Sequence, residues 1–213
     1  MAEETIVHLM RHGEVYNPEG ILYGRLPGFH LSDLGQEMAV RVADTIKDRD
    51  IVAVWASPLE RAQQTATPLS QAKGLAIHTD ERIIEAANIF EGKKVSIGDG
   101  ALRQPKSWRY LYDPFTPSWG EPYKELAARM ASAVKDARDE ARGHEIVLVS
   151  HQLPVWTSRL SFEDRRLWHD PRHRQCALAS LTSLAFEGDT LKAIVYTEPA
   201  ADLDAKASKG AGA

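Results

Sequence analysis

The sequence predicts an α/β protein: a three-layer α/β/α sandwich with a mainly parallel central sheet covered by helices on both faces. Three observations carry this. The apolar runs TIVHLM, IVAVWA and EIVLVS have strand length and the pattern of buried strands. Helical stretches with turn signals at their ends alternate with them, the order that builds a parallel sheet. The chain's 213 residues, 43% of them hydrophobic and 26% charged, suit one soluble domain large enough to bury a core. There is no internal repeat.

The first strand ends at Arg11-His12-Gly13-Glu14, and a Gly- and Pro-rich loop, EVYNPEGILYGRLPGFH, follows. SDLGQEMAVRVADTIKDRD reads as an amphipathic helix capped by Ser32 or Asp33. IVAVWA is the second strand. The second helix, PLERAQQTATPLSQAK, stops at Gly74; Ser57 is placed to cap it and Pro58 fits its first turn. LAIHT is a short third strand, EPYKELAARMASAVKDARDEAR a long helix ending at Gly143, EIVLVS the next strand, and LPVWTSRLSF opens another helix. ALASLTSLAFEGDTLKAIVYTEP reads as a hairpin around Glu187-Gly188-Asp189, giving an antiparallel edge. Residues 89–120, with Trp108, Tyr110, Tyr112 and Trp119 among prolines, suit either a lid or aromatic packing over the core. One catalytic domain over 1–197 is expected, and residues 198–213, poor in large apolar side chains, read as a flexible tail.

A net charge of −4 argues against a nucleic-acid or anionic-membrane binder, while allowing a local basic pocket. Cys176 is the single cysteine, so no intrachain disulfide forms and an inert, partly buried thiol is expected. No leader-like segment opens the chain and no run reaches membrane-spanning length, so a cytoplasmic location is expected. The eight histidines form no metal-ligand pattern: Pro171 argues against a helix that would pair His169 with His173, and both read as surface residues. Neither a metal nor a cofactor is expected.

Three strand ends carry chemistry. The first delivers Arg11 and His12, the second leads into a helix that bears Arg61, and EIVLVS ends at His151. Strand carboxyl ends open into the crevice where α/β proteins bind ligands. Arginines offer paired donors to an anion, and a neutral imidazole offers a nucleophilic nitrogen. A phosphoryl group, with its charge on peripheral oxygens, needs such a convergence of donors. Asn17 and backbone N–H groups around Gln152 are candidates to complete the cradle.

LMRHGE, SPLERAQQTA and VSHQLP together resemble the histidine phosphatase superfamily, which includes the cofactor-dependent phosphoglycerate mutases. The resemblance runs from about Thr5 to about Thr197 and implies a phosphoglycerate mutase-like fold. It implies that His12 is the nucleophile and becomes transiently phosphorylated, with Arg11, Arg61 and His151 around the phosphate. It also implies an acid in the segment after the second helix, where Glu85 is the best match and Glu81 and Glu91 compete. A carboxyl near apolar side chains gains a raised pKa, as a proton donor requires. Glu14 reads as a supporting residue.

Two departures stand out. Gln152 replaces a common glycine after the second histidine, and the loop between His12 and Gly24-Arg25 is one residue short, which unsettles the Asn17 assignment. Arg25 either faces substrate or sits in a loop ion pair. The expected activity is phosphomonoester hydrolysis on a small phosphorylated substrate. Mutases of this kind carry adjacent arginines in the insertion, where this chain has the separated Arg103, Lys106 and Arg109. A mutase, or a phospholigand-binding protein that has lost catalysis, are the alternatives. Oligomeric state is not legible.

Overall fold

The computed structural model describes residues 3–94 and 120–207. Its strands are β1 (Glu4–Arg11), β2 (Ile51–Ala56), β3 (Ile77–Thr79), β4 (Glu145–Ser150), β5 (Leu181–Glu187) and β6 (Thr190–Thr197). The helices are α1 (Asp33–Ile46), α2 (Glu60–Lys73), α3 (Tyr123–Glu140), α4 (Gln152–Phe162) and α5 (Ala201–Asp204). One sheet runs β3-β2-β4-β1-β5-β6. Its first four strands are parallel, and β5 lies antiparallel to both β1 and β6. The hairpin turns at Gly188, whose φ of 58° suits a residue without a Cβ.

Period-two alternation sends each central strand to both layers. Val7, Leu9, Ile146 and Leu148 join the core under α3 and α4, with Leu126, Met130, Val134 and Val155. Met10, Val147 and Val149 join the opposite core, with Met38 and Val42 of α1 and Ala62, Ala66 and Leu69 of α2. This double burial is why β1 and β4 read as nearly unbroken apolar runs, each large side chain contributing about 1.5–3 kcal/mol. The polar exception in β1, His8, is buried with both ring nitrogens occupied: Nδ1 lies 2.7 Å from Ser183 Oγ and Nε2 2.8 Å from Glu145 Oε2.

Several boundaries differ from expectation. Ser32 caps α1, its Oγ accepting from Gly35 N–H at 3.0 Å. Ser57 does not cap α2: Leu59 takes the cap position without a side-chain bond, and Ser57 is drawn elsewhere. Residues 198–207 are not a loose tail. Ala200 and Leu203 bury in the core beneath α1, and Arg41 bonds both oxygens of Asp202 at 3.0 and 3.2 Å. Burial of Ala200 and one large apolar side chain, Leu203, holds this segment. The remainder of the expected tail, from 208, lies outside the described residues, as do Arg103, Lys106, Arg109 and most of the 89–120 segment.

Candidate active site

The carboxyl ends of β1, β4 and β2 are neighbours in the sheet, and the polar residues just beyond them converge. Arg11 pairs in register with Ser150, and His12 N–H donates to the Ser150 carbonyl at 3.1 Å, so the first histidine sits beside the turn that carries His151. The two rings lie 5.2 Å apart, 62° between planes. Gly13 is required by crowding: a Cβ there would stand 2.5 Å from the Gly35 carbonyl oxygen at the start of α1. Thr65 Oγ1 accepts from Gly13 N–H at 3.1 Å while donating to the Arg61 carbonyl at 2.7 Å. The turn after β1 is thus pinned by α1 on one side and α2 on the other.

His12 Nδ1 is 2.7 Å from the Gly13 carbonyl oxygen. A carbonyl only accepts, so Nδ1 carries the proton and Nε2 keeps its lone pair. The ring is fully buried, and Nε2 has no partner among the described residues. Burial first, then the Arg61 and Arg11 charges, hold the imidazole well below the usual histidine range, so it is neutral at pH 7. His151 is equally buried and shifted the same way, chiefly by burial. Its Nε2 lies 2.7 Å from Ser57 Oγ, and its Nδ1 has no partner among the described residues.

The arginines are half spent on scaffold. Arg11 Nη1 donates to the Cys176 carbonyl at 2.7 Å, and Nε has no partner among the described residues. Arg61 is fully buried. Its Nη2 donates to the Gly24 carbonyl at 2.6 Å, its guanidinium lies 4.7 Å from the Tyr23 ring centre, and Nε and Nη1 have no partner among the described residues. A buried donor left unpaired costs about 1–3 kcal/mol. Arg11 and Arg61 hold such donors among the described residues, the pattern of a site built for an anion rich in acceptors, and the His12 Nε2 lone pair lies without a partner beside them.

Glu85 is buried after the short 3₁₀ turn Glu81–Ile83. Burial raises its pKa, against the Ala86 N–H, which donates to its Oε1 at 2.8 Å, and against the charges of Arg61, Arg174 and Arg11. Its carboxyl is thus within reach of the charges of Arg61 and Arg11. Glu81 and Glu91 lie apart from this role: Glu81 is exposed, and Glu91 Oε1 accepts the N–H groups of Arg25 and Asn88.

The remaining sequence candidates hold the scaffold. Asn17 spends both ends of its amide on the Ile21 backbone, at 2.9 and 3.2 Å. Arg25 sits in the loop ion pair that its position also allowed. Its Nη2 reaches Glu121 at 3.0 Å, and its Nε donates to the Glu85 carbonyl at 2.6 Å. Arg129 grips the other side of Glu121 at 2.7 Å, so two arginines brace the Glu85 segment. Glu14 accepts from the capping Ser32 hydroxyl at 2.5 Å. Gln152 Oε1 accepts from Arg174 at 3.1 Å, and its Nε2 reaches the Cys176 carbonyl at 3.5 Å.

Sequence reasoning missed Ser57, Tyr23 and Arg174. Ser57 had a visible signal, its place at the head of SPLERAQQTA, but that signal also described a helix cap. His169, expected at the surface, is half-buried. Its Nδ1 donates to the Leu167 carbonyl at 2.7 Å, and its ring packs against Tyr123 and Trp156. Cys176 is buried, its thiol pushed up to about 11 by burial. No group of three metal-ligating side chains converges among the described residues, and no helix there is long and apolar enough to cross a membrane.

The comparisons agree with this geometry. Residues 7–198 match the model of the histidine phosphatase superfamily, branch 1. The chain is 62% identical over 201 residues to Rv0525 of Mycobacterium tuberculosis (strain ATCC 25618 / H37Rv), covering 94% of this chain and all of that one. It is 30% identical over 172 residues to the probable phosphoglycerate mutase GpmB of Escherichia coli O1:K1 / APEC, covering 72% of this chain and 78% of that protein. Among solved structures, Bacillus stearothermophilus YhfR superposes with a TM-score of 0.73 at 25% identity, covering 88% of this chain and 94% of its own. The α/β architecture is therefore phosphoglycerate mutase-like, and the chain belongs to the histidine phosphatase superfamily.

Proposed function

We propose that the protein hydrolyses small phosphomonoesters through a phosphohistidine on His12, with Glu85 as proton donor. The observation that carries this is a set of buried atoms without partners among the described residues: the Nε2 lone pair of His12, donors on Arg11 and Arg61, and Nδ1 of His151. The arginine and His151 donors bind the peripheral phosphoryl oxygens, whose charge persists into the transition state. Nε2 attacks phosphorus as the ester P–O bond breaks. The bonding pair leaves with the ester oxygen, which takes the proton of Glu85. The resulting carboxylate then takes a proton from water, the water oxygen attacks phosphorus, and inorganic phosphate leaves His12 free. The raised pKa of Glu85 and the lowered pKa of His12 suit a donor and a nucleophile.

Mutase action is the second reading, favoured by the 30% identity to a probable phosphoglycerate mutase. Incubation with 3-phosphoglycerate separates the two: release of inorganic phosphate without isomerisation supports hydrolysis, and isomerisation without release supports transfer. Absence of both, and of turnover of an aryl phosphate, would leave only a binding protein.

A further inference from the structure

Arg174 lies beyond the donors assigned to the phosphoryl group. Its Nε donates to His169 Nε2 at 2.8 Å and its Nη1 to Gln152 Oε1 at 3.1 Å. Both acceptors are neutral, and Arg174 forms no ion pair among the described residues. The orientation of the fork is nevertheless fixed. His169 is held through its other nitrogen by the Leu167 carbonyl, and Gln152 is the first residue of α4, directly after His151. Gln152 Nε2 and Arg11 Nη1 share the Cys176 carbonyl as acceptor, which ties Arg174 to Arg11 through one side chain and one carbonyl. Burial lowers the Arg174 pKa, so the cation sits partly desolvated, near the proposed proton donor Glu85. A desolvated arginine oriented by neutral groups costs free energy unless an anion completes it.

We propose that Arg174, oriented by Gln152 and His169, binds a second anionic group of the substrate, such as a carboxylate or a further phosphate, on the leaving-group side of the ester. This rests on the phosphatase reading above and narrows its substrate class to phosphomonoesters whose alcohol portion is itself anionic. It also gives Gln152 a role that a glycine lacks, since the amide oxygen fixes the guanidinium while the backbone N–H remains available to phosphate. Arginine suits the task because its planar fork keeps donors free for a bidentate anion after two are used for orientation.

Matched pairs of compounds test this. Phosphate release is measured for 3-phosphoglycerate against glycerol 3-phosphate, and for fructose 1,6-bisphosphate against fructose 1-phosphate, so the two arms separate carboxylate from phosphate recognition. At least one anionic member should be favoured in kcat/KM by about 10–100-fold, the span of a charge-assisted hydrogen bond. Arg174→Gln should reduce that ratio by a similar factor, mainly through KM, and Arg174→Lys should restore part of it. No preference in either pair, or a preference that Arg174→Gln leaves intact, would overturn the assignment. Should the protein turn over none of these compounds, nor an aryl phosphate, the hydrolase reading fails by itself. Calorimetric binding of the same pairs to the wild type and to Arg174→Gln then decides the role of Arg174 without reference to turnover: tighter binding of the anionic member, lost in the variant, upholds it, and equal binding rejects it.

Discussion

Ser57 Oγ lies 2.7 Å from His151 Nε2, joining the residue after β2 to the residue after β4. The same oxygen accepts from Leu59 N–H at 3.4 Å. Donation of the hydroxyl proton to Nε2 gives His151 protonated on Nδ1, an atom without a partner among the described residues, and this is the tautomer that the proposed phosphate contact requires. Ser57→Ala removes this control of tautomer and ring angle. We expect kcat/KM for an aryl phosphate to fall about 2–10-fold, as for loss of one neutral hydrogen bond, with Ser57→Thr retaining more. Unchanged kinetics in the alanine variant would place the control of His151 elsewhere.

Arg11→Ala and Arg61→Ala should each weaken both binding and turnover, because phosphate charge is present before and during transfer. The expected loss is about 1.5–3 kcal/mol of transition-state stabilisation each. Arg61→Ala should also lower stability, since it empties a fully buried volume and removes the bond to Gly24 that holds the loop over α2. Steady-state kinetics and thermal melts separate the two effects, and a full kcat/KM in either variant would remove that arginine from the pocket.

What the sequence disclosed follows from where its signals were local. The apolar runs of β1, β2 and β4 and the turn residues at their ends are local, so the order of elements and the strand-end residues Arg11, His12 and His151 could be read directly. The partners of a loop side chain are not local. Nothing near Asn17 announces that Ile21 consumes its amide, and nothing near Arg25 names Glu121, 96 positions away, as its partner. Arg174 was hidden by the polar composition of HDPRHR, which describes a solvated loop until α4 and Tyr123 close over it. Ser57 was visible but given the wrong partner, because SP before a helix suits a cap as well as it suits a hydrogen bond to a distant histidine.

Glu85→Gln should discriminate between leaving groups. A general acid contributes about 10²–10⁴-fold where the departing oxygen needs a proton. The variant should lose that factor in the phosphorylation step with an alkyl phosphate and far less with an aryl phosphate, whose phenolate departs unaided. Burst kinetics isolate this step from the later attack of water. An equal loss for both substrates would count against Glu85 as donor.

The buried titrating groups also predict a pH dependence of stability. The Glu85 pKa is raised above its ordinary 4.5, so its contribution to stability is full below 4.5 and is lost as pH rises through the folded value. Glu85→Gln, neutral at every pH, should therefore be more stable than the wild type at pH 7, and the gap should close below 4.5. His12 and His151 are shifted the opposite way, below 6.5, so their contribution is full above 6.5 and is lost as pH falls through the folded values. His12→Asn should soften the acid loss. Denaturant melts across pH check both signs, and a wild type that outlasts Glu85→Gln at pH 7 would contradict the buried-carboxyl argument.

The most direct measurement is a rapid acid-free quench of the protein during turnover of ³²P-labelled phosphomonoester, followed by mapping of the label. Phosphate is expected on His12, stable to alkali and labile to acid, forming and decaying at rates consistent with turnover and absent from His12→Ala. Label on any other residue, or near-normal turnover by His12→Ala, would contradict it.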